Sequence, residues 1–278
     1  MLQITKPAAA GVAIALSLVL GLGSLAQKAE ALAVVIFSPP QQSQPAPKVS
    51  EERLAEIANY DVIVFIDSSR SMSKGLSPET RWSANSSSSA LPAGMSPTES
   101  RWQWCSEQTE GLSKQLQSAH NDKLKDHLKV VLFSDNYKVY KNVDLASVPT
   151  FFASNHPYGN TNANAALRSQ LRDYFEARDQ NKEAVRPLLV AIITDGCPDD
   201  PLVLRQTIIN ATNKMQNPNE IAITFLQVGI DPKATKYLRE LDECLVGSKA
   251  KYDIVTSKSF DQVNQSGLAI ALLDAVHK

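Results

Sequence analysis

Short apolar runs alternate along this chain with longer segments whose apolar residues recur every third or fourth position. Asp61-Val62-Ile63-Val64-Phe65-Ile66, His127 to Phe133, Leu188 to Ile193 and Ile221 to Val228 are rich in β-branched and aromatic residues. They carry apolar side chains at successive positions, the pattern of strands covered on both faces. Tyr137-Lys138-Val139-Tyr140 alternates like an edge strand, with Asp135-Asn136 suited to a tight hairpin turn before it, and Tyr252 to Val255 reads as a last short strand. Between these runs the period changes to that of a helix. Glu51 to Asn59 predicts a short helix. Ser96 as N-cap, Pro97 and Glu99 predict the start of another, with Trp102, Cys105, Thr109, Leu112, Leu116 and Ala119 on its inner face. Ala166, Leu167, Leu171, Tyr174 and Phe175 mark a third, and Leu204, Ile208, Ala211 and Met215 a fourth that starts at Asp200-Pro201. Leu238, Leu241 and Leu245 follow Asp231-Pro232, and Phe260 to Val276 predicts a closing helix. Strands alternating with amphipathic helices predict an α/β fold. The expected architecture is a doubly wound, mostly parallel six-stranded sheet with one antiparallel edge strand and helices on both faces.

The first residues break this pattern. Lys6 precedes an uncharged apolar run from Ala8 to Ala26, and small residues follow around Ala31 and Ala33. That is the layout of an export signal, cleaved after Ala31 or Ala33, and the run is also long enough for an uncleaved membrane anchor. In either case the rest of the chain is expected outside the cytoplasm: periplasmic, at the cell surface, or anchored facing outward. Ser38 to Pro47 is rich in Pro and Gln without apolar anchors and predicts a tether. The expected organisation is a leader at 1–33, a linker at 34–50 and one domain at 51–278 with a long insertion at about 72–97. Two copies of a Ser-Pro/Arg-Trp unit lie in and beside that insertion, Gly75 to Trp82 and Gly94 to Trp102.

Composition narrows the function classes. The chain is 43% hydrophobic and 21% charged, enough for a real core, and its net charge of -1 gives no footprint for nucleic acid. Three cysteines, Cys105, Cys197 and Cys244, are too few and too scattered for a disulfide framework or a zinc site.

The candidate chemistry lies where strands end. Asp67, Ser69 and Ser71 follow the first strand, Thr161 lies in Gly159-Asn160-Thr161 before a helix, and Asp195 lies in Thr194-Asp195-Gly196 after the most apolar strand. In open α/β sheets, ligands bind beyond the carboxyl ends of strands. Asp-x-Ser-x-Ser, Gly-x-Thr and Thr-Asp-Gly, in this order and in these settings, resemble a von Willebrand factor type A domain, the family that includes the inserted domains of integrins. The resemblance covers about residues 55–278. It implies a metal-ion-dependent adhesion site: Ser69 and Ser71 binding a divalent cation directly, Thr161 doing so in the ligand-competent state, and Asp67 and Asp195 acting mostly through bound waters. It also implies that the first and fourth strands lie side by side. An all-oxygen site completed by water suits Mg²⁺ or Mn²⁺. Met72-Ser73-Lys74 stand where integrin β subunits carry acidic residues, so a second adjacent metal site is not expected.

The resemblance therefore implies a non-enzymatic, protein-binding module that engages an Asp or Glu of a protein ligand through the cation. A scaffold subunit of a membrane-associated assembly would use the same face. A metal-dependent hydrolase is a weaker alternative, because Cys197 is the only thiol near the motifs in sequence. A nucleotide-binding Rossmann domain is disfavoured, since Asp-Ser-Ser-Arg-Ser replaces a Gly-rich phosphate loop. Asp199 and Asp200 are expected to cap the next helix, His156 to be solvated, and Trp82 and Trp102 to pack on their own domain unless they rim the metal face.

Overall fold

The computed structural model describes residues 49–75, 100–118, 128–144, 146–180 and 185–277. The leader at 1–33, nearly all of the linker, most of the insertion, Trp82 and the Ser96-Pro97-Glu99 cap lie outside the described residues. In chain order the elements are α1 (Glu51–Ile57), β1 (Asp61–Asp67), α2 (Arg101–Ser118), β2 (Leu128–Phe133), β3 (Tyr137–Tyr140), α3 (Val148–Ser154) and α4 (Ala163–Gln180). They continue as β4 (Leu188–Thr194), α5 (Pro201–Lys214), β5 (Ile221–Gln227), α6 (Pro232–Cys244), β6 (Val255–Lys258), α7 (Phe260–Ser266) and α8 (Leu268–Val276).

The strands form one six-stranded sheet in the order β3-β2-β1-β4-β5-β6. The β2–β3 pair is antiparallel and all other pairs are parallel, as the sequence predicts. The strands β1, β2, β4 and β5 alternate between two cores, which explains their unbroken apolar character. Val62, Val64 and Ile66 of β1 face the layer built by α1, α2, α3, α7 and α8, while Ile63 and Phe65 face the layer of α4, α5 and α6. In β4, Leu189, Ala191 and Ile193 take the first side and Leu188, Val190 and Ile192 the second. Because β2 lies on one side of β1 and β4 on the other, the chain reverses its winding at β1, which opens a crevice at the β1/β4 carboxyl ends. Among the described residues, no helix is long and apolar enough to cross a membrane.

Local structure departs from expectation in four places. The capping box of α2 is Ser100–Gln103: Gln103 N donates to Ser100 Oγ (3.2 Å) and Ser100 N to Gln103 Oε1 (2.8 Å). The last strand runs from Val255 to Lys258, three residues later than the expected Tyr252 to Val255. The closing helix is two helices, broken at Gly267, whose φ of 79° only glycine adopts easily. Helix α3 was not expected; Pro149 at its start and buried Val148, Phe151 and Phe152 account for it.

The core gives the first prediction. Phe225 in central β5 is 1% exposed and lies in the α4/α5/α6 layer. Phe225→Ala is expected to lower unfolding free energy by about 3–5 kcal/mol, read as a drop in urea midpoint with an unchanged m value.

Candidate metal centre

At the end of β1 the chain turns into a 3₁₀ segment, Arg70–Ser73, anchored by fully buried Met72. That turn holds the hydroxyls of Ser69 and Ser71 3.0 Å apart. Ser71 Oγ donates to Asp195 Oδ1 at 2.8 Å, across the crevice from the end of β4. Asp67 lies behind them, fully buried: Ser69 N donates to its Oδ1 and Thr194 Oγ1 to its Oδ2, each at 2.8 Å. Four of the five residues singled out in the sequence, Asp67, Ser69, Ser71 and Asp195, therefore form one connected cluster of oxygens. Parallel pairing of β1 with β4, from Asp61 opposite Leu188 to Ile66 opposite Ile193, brings the two carboxylates together.

Thr161 belongs to a loop tied to the same place by its backbone. Tyr158 N donates to Ser68 O (2.8 Å), Arg70 N to Gly159 O (3.2 Å) and Asn162 N to Ser134 O (3.0 Å). Gly159 has φ 72°, and the Asp135 carboxylate lies where its Cβ would be while accepting from Asn160 N at 2.9 Å. Thr161 itself is half-buried; its N donates to Asp199 Oδ1 (3.1 Å) and its carbonyl accepts from Asp199 N (3.0 Å). Among the described residues its hydroxyl makes no hydrogen bond to the Ser69–Ser71–Asp195 cluster. Asp200 caps α5 as expected, accepting from Val203 N at 3.1 Å, whereas Asp199 clamps the Thr161 loop instead of capping a helix. His156 is exposed. Trp102 packs inside the domain, edge-on to Phe152 with ring centres 4.7 Å apart. The cysteines are free thiols: Cys105 buried, Cys197 half-buried and Cys244 exposed.

The electrostatics turn on two carboxylates that share a dry crevice. Burial, and then the charge of Asp195, push the Asp67 pKa up to about 7 against the pull of its hydrogen bonds from Ser69 and Thr194. Asp195, with its side chain 1% exposed, is paired on Oδ2 with Arg101 Nη1, which also lies 3.5 Å from Ser71 O. Arg101 is the residue that sequence reasoning missed. It occupies the first turn of α2, where the helix dipole disfavours a cation by roughly 0.3–1 kcal/mol, and that wrong-sign charge was the available signal. Among the described residues its buried Nε has no partner, and its guanidinium lies against Gly229: a Cβ there would stand 3.2 Å from Nε.

The donor set fits a hard divalent cation. It consists of two neutral hydroxyls and two carboxylates, all oxygen, at one spot already visited by a positive group, the guanidinium of Arg101. Ser69, Ser71 and Asp195 are the residues that would hold the ion, with Asp67 behind.

No family model and no curated protein matches the chain. Among solved structures it is similar to the PilB minor pilin from Streptococcus sanguinis at 14% identity and TM-score 0.45, over 78% of this chain and 59% of the pilin. It is also similar to a von Willebrand factor type A protein from Catenulispora acidiphila at 14% identity and TM-score 0.47, over 78% of this chain and 43% of that one. A third is the conserved hypothetical protein BatB from Bacteroides thetaiotaomicron, at 14% identity and TM-score 0.42, over 79% of this chain and all of BatB. The chain thus spans about three fifths of the pilin's length. The chemistry of the site rests on its own geometry, not on these likenesses.

A carboxyl whose pKa is higher in the folded than in the unfolded chain binds more protons when folded, so stability falls as pH rises through the window between the two values. For Asp67 that window runs from 3.8 to about 7. In chelator, this group is expected to remove on the order of 4 kcal/mol of stability between those limits. Urea midpoints measured across that pH range should fall, and Asp67→Asn should flatten the fall.

Proposed function

We propose that this chain is an extracytoplasmic protein-binding module of the von Willebrand factor type A kind that engages an acidic residue of a protein ligand through Mg²⁺ or Mn²⁺. The observation that carries the reading is the contiguous oxygen set of Ser69, Ser71 and Asp195 at the β1/β4 crevice. When bound, the cation supplies a Lewis-acidic position for an oxygen of the ligand's carboxylate. The chain's own part is to keep that charge incompletely neutralised. Ser69 and Ser71 offer neutral hydroxyls, while Asp67 already spends both carboxylate oxygens on Ser69 N and Thr194 Oγ1. Thr161 stands half-buried at the rim, with its main chain fixed and its hydroxyl unclaimed by the cluster. Placement outside the cytoplasm follows from Lys6 and the apolar run after it.

Binding fits these groups better than turnover. Burial and the Asp231 charge hold the Cys197 thiol above its usual range, the reverse of an activated nucleophile. The exposed His156 makes no hydrogen bond to the cluster among the described residues.

The test uses the full-length chain in detergent. Mn²⁺ titration by calorimetry is expected to show a single site, weakened about 10–100-fold or more by Ser69→Ala and by Asp195→Ala. Ligand capture from membranes is expected with Mg²⁺ and lost with chelator. Capture that survives chelation rules out the metal-bridged mechanism.

A further inference from the structure

We propose that Arg101 is a resident counter-cation of this centre: its guanidinium competes with the divalent ion for Asp195 and so sets the affinity of the site for metal. The inference rests on the metal-site reading above and adds to it a residue that reading does not require.

Three features of the arginine support competition over a purely structural role. Its Nη1 sits on Asp195 Oδ2 while Ser71 Oγ sits on Oδ1 of the same carboxylate, so the guanidinium contacts the cluster that would receive the ion. The Asp195 side chain is almost fully buried and that of Arg101 only 16% exposed, so little water lies between to screen two cations brought to one carboxylate. The seat is also incompletely furnished: among the described residues the buried Nε has no acceptor, a poor match for a guanidinium placed only for stability. The carboxylate holds the group there against the dipole of α2.

The main chain at Arg101 is fixed, since its N donates to Lys74 O at 3.0 Å and Ser100 bridges to Gly75. Release therefore needs only side-chain rotation, with no shift of α2. Gly229, at φ 85°, places no Cβ against the guanidinium, where one would stand 3.2–3.3 Å from Nε, Cζ and Nη2. Without metal, Arg101 balances Asp195; with metal, its charge is redundant and repelled.

The experiment compares the full-length wild type, Arg101→Gln and Arg101→Lys in detergent by Mn²⁺ calorimetry, with urea midpoints in chelator alongside. Arg101→Gln is expected to bind Mn²⁺ at least about tenfold more tightly and to be less stable than wild type in chelator. Arg101→Lys, which keeps the charge and loses the fork, should fall between the two in affinity. A wild type that binds Mn²⁺ and an Arg101→Gln that binds it equally or more weakly would overturn this inference and leave the metal site standing. If neither chain binds Mn²⁺, the metal-site reading fails and takes this one with it. Should Arg101→Gln not fold, the wild type decides alone through its arginine side-chain NMR signals. Saturating Mg²⁺ should convert one rotationally restricted guanidinium to free rotation, and an unchanged restricted signal overturns the competition.

Discussion

Two carboxylates that sequence separates and the sheet reunites set the terms for everything around the crevice. Asp67 and Asp195, both buried, lie at the ends of neighbouring parallel strands, where like charges repel strongly. The surrounding polar groups answer that repulsion. Ser69 N and Thr194 Oγ1 donate to one carboxylate, and Ser71 Oγ and Arg101 to the other. Even so, burial first and the Asp195 charge second push the Asp67 pKa up to about 7. Such a site is selective for positive partners before any ligand geometry is considered.

The loops contribute order of a different kind. The Thr161 loop is laced to the β1 loop through Tyr158, Gly159 and Arg70, and to the β2–β3 turn through Asn160 and Asn162. These are backbone ties, so they fix where the loop runs without committing the Thr161 hydroxyl. Asp199 does the same from the β4 side, holding the main chain on both its N–H and its carbonyl. The rigid scaffold and the free hydroxyl are thus provided by separate groups.

Much of this was legible in the sequence because the informative residues act locally. The strands β1 and β4 declare themselves by unbroken apolar runs, since each faces a core on both sides. That Asp67, Ser69, Ser71 and Asp195 lie together was implied by the family resemblance of their motifs, not by a local pattern. What stayed hidden needed contacts or subtle breaks. β6 is an edge strand with mostly half-buried polar residues, so it lacks the pattern that marks the others. Gly267 interrupts a segment whose apolar period runs on through Leu268 and Leu272, and the period masks the break. The Ser100–Gln103 box was overlooked because the preceding Ser-Pro unit offered an equally good cap. Arg101 pairs with a residue far along the chain, and no local rule announces that. Only its odd position at a helix start hinted at it.

The bridge between Gly75 and Ser100 has a consequence for how this protein can diversify. The bridge holds the two ends of residues 76–99 together and so closes the chain between them into a loop. The entropy of closing such a loop grows slowly with its length, and sequence there can drift, lengthen or be exchanged at little cost to the fold. Yet the bridge adjoins the site: Ser100 directly precedes Arg101, and Gly75 lies two residues after the serine turn ends at Ser73. Because the bridge holds both ends, the sequence between them can be exchanged while the carboxylate pair stays as it is.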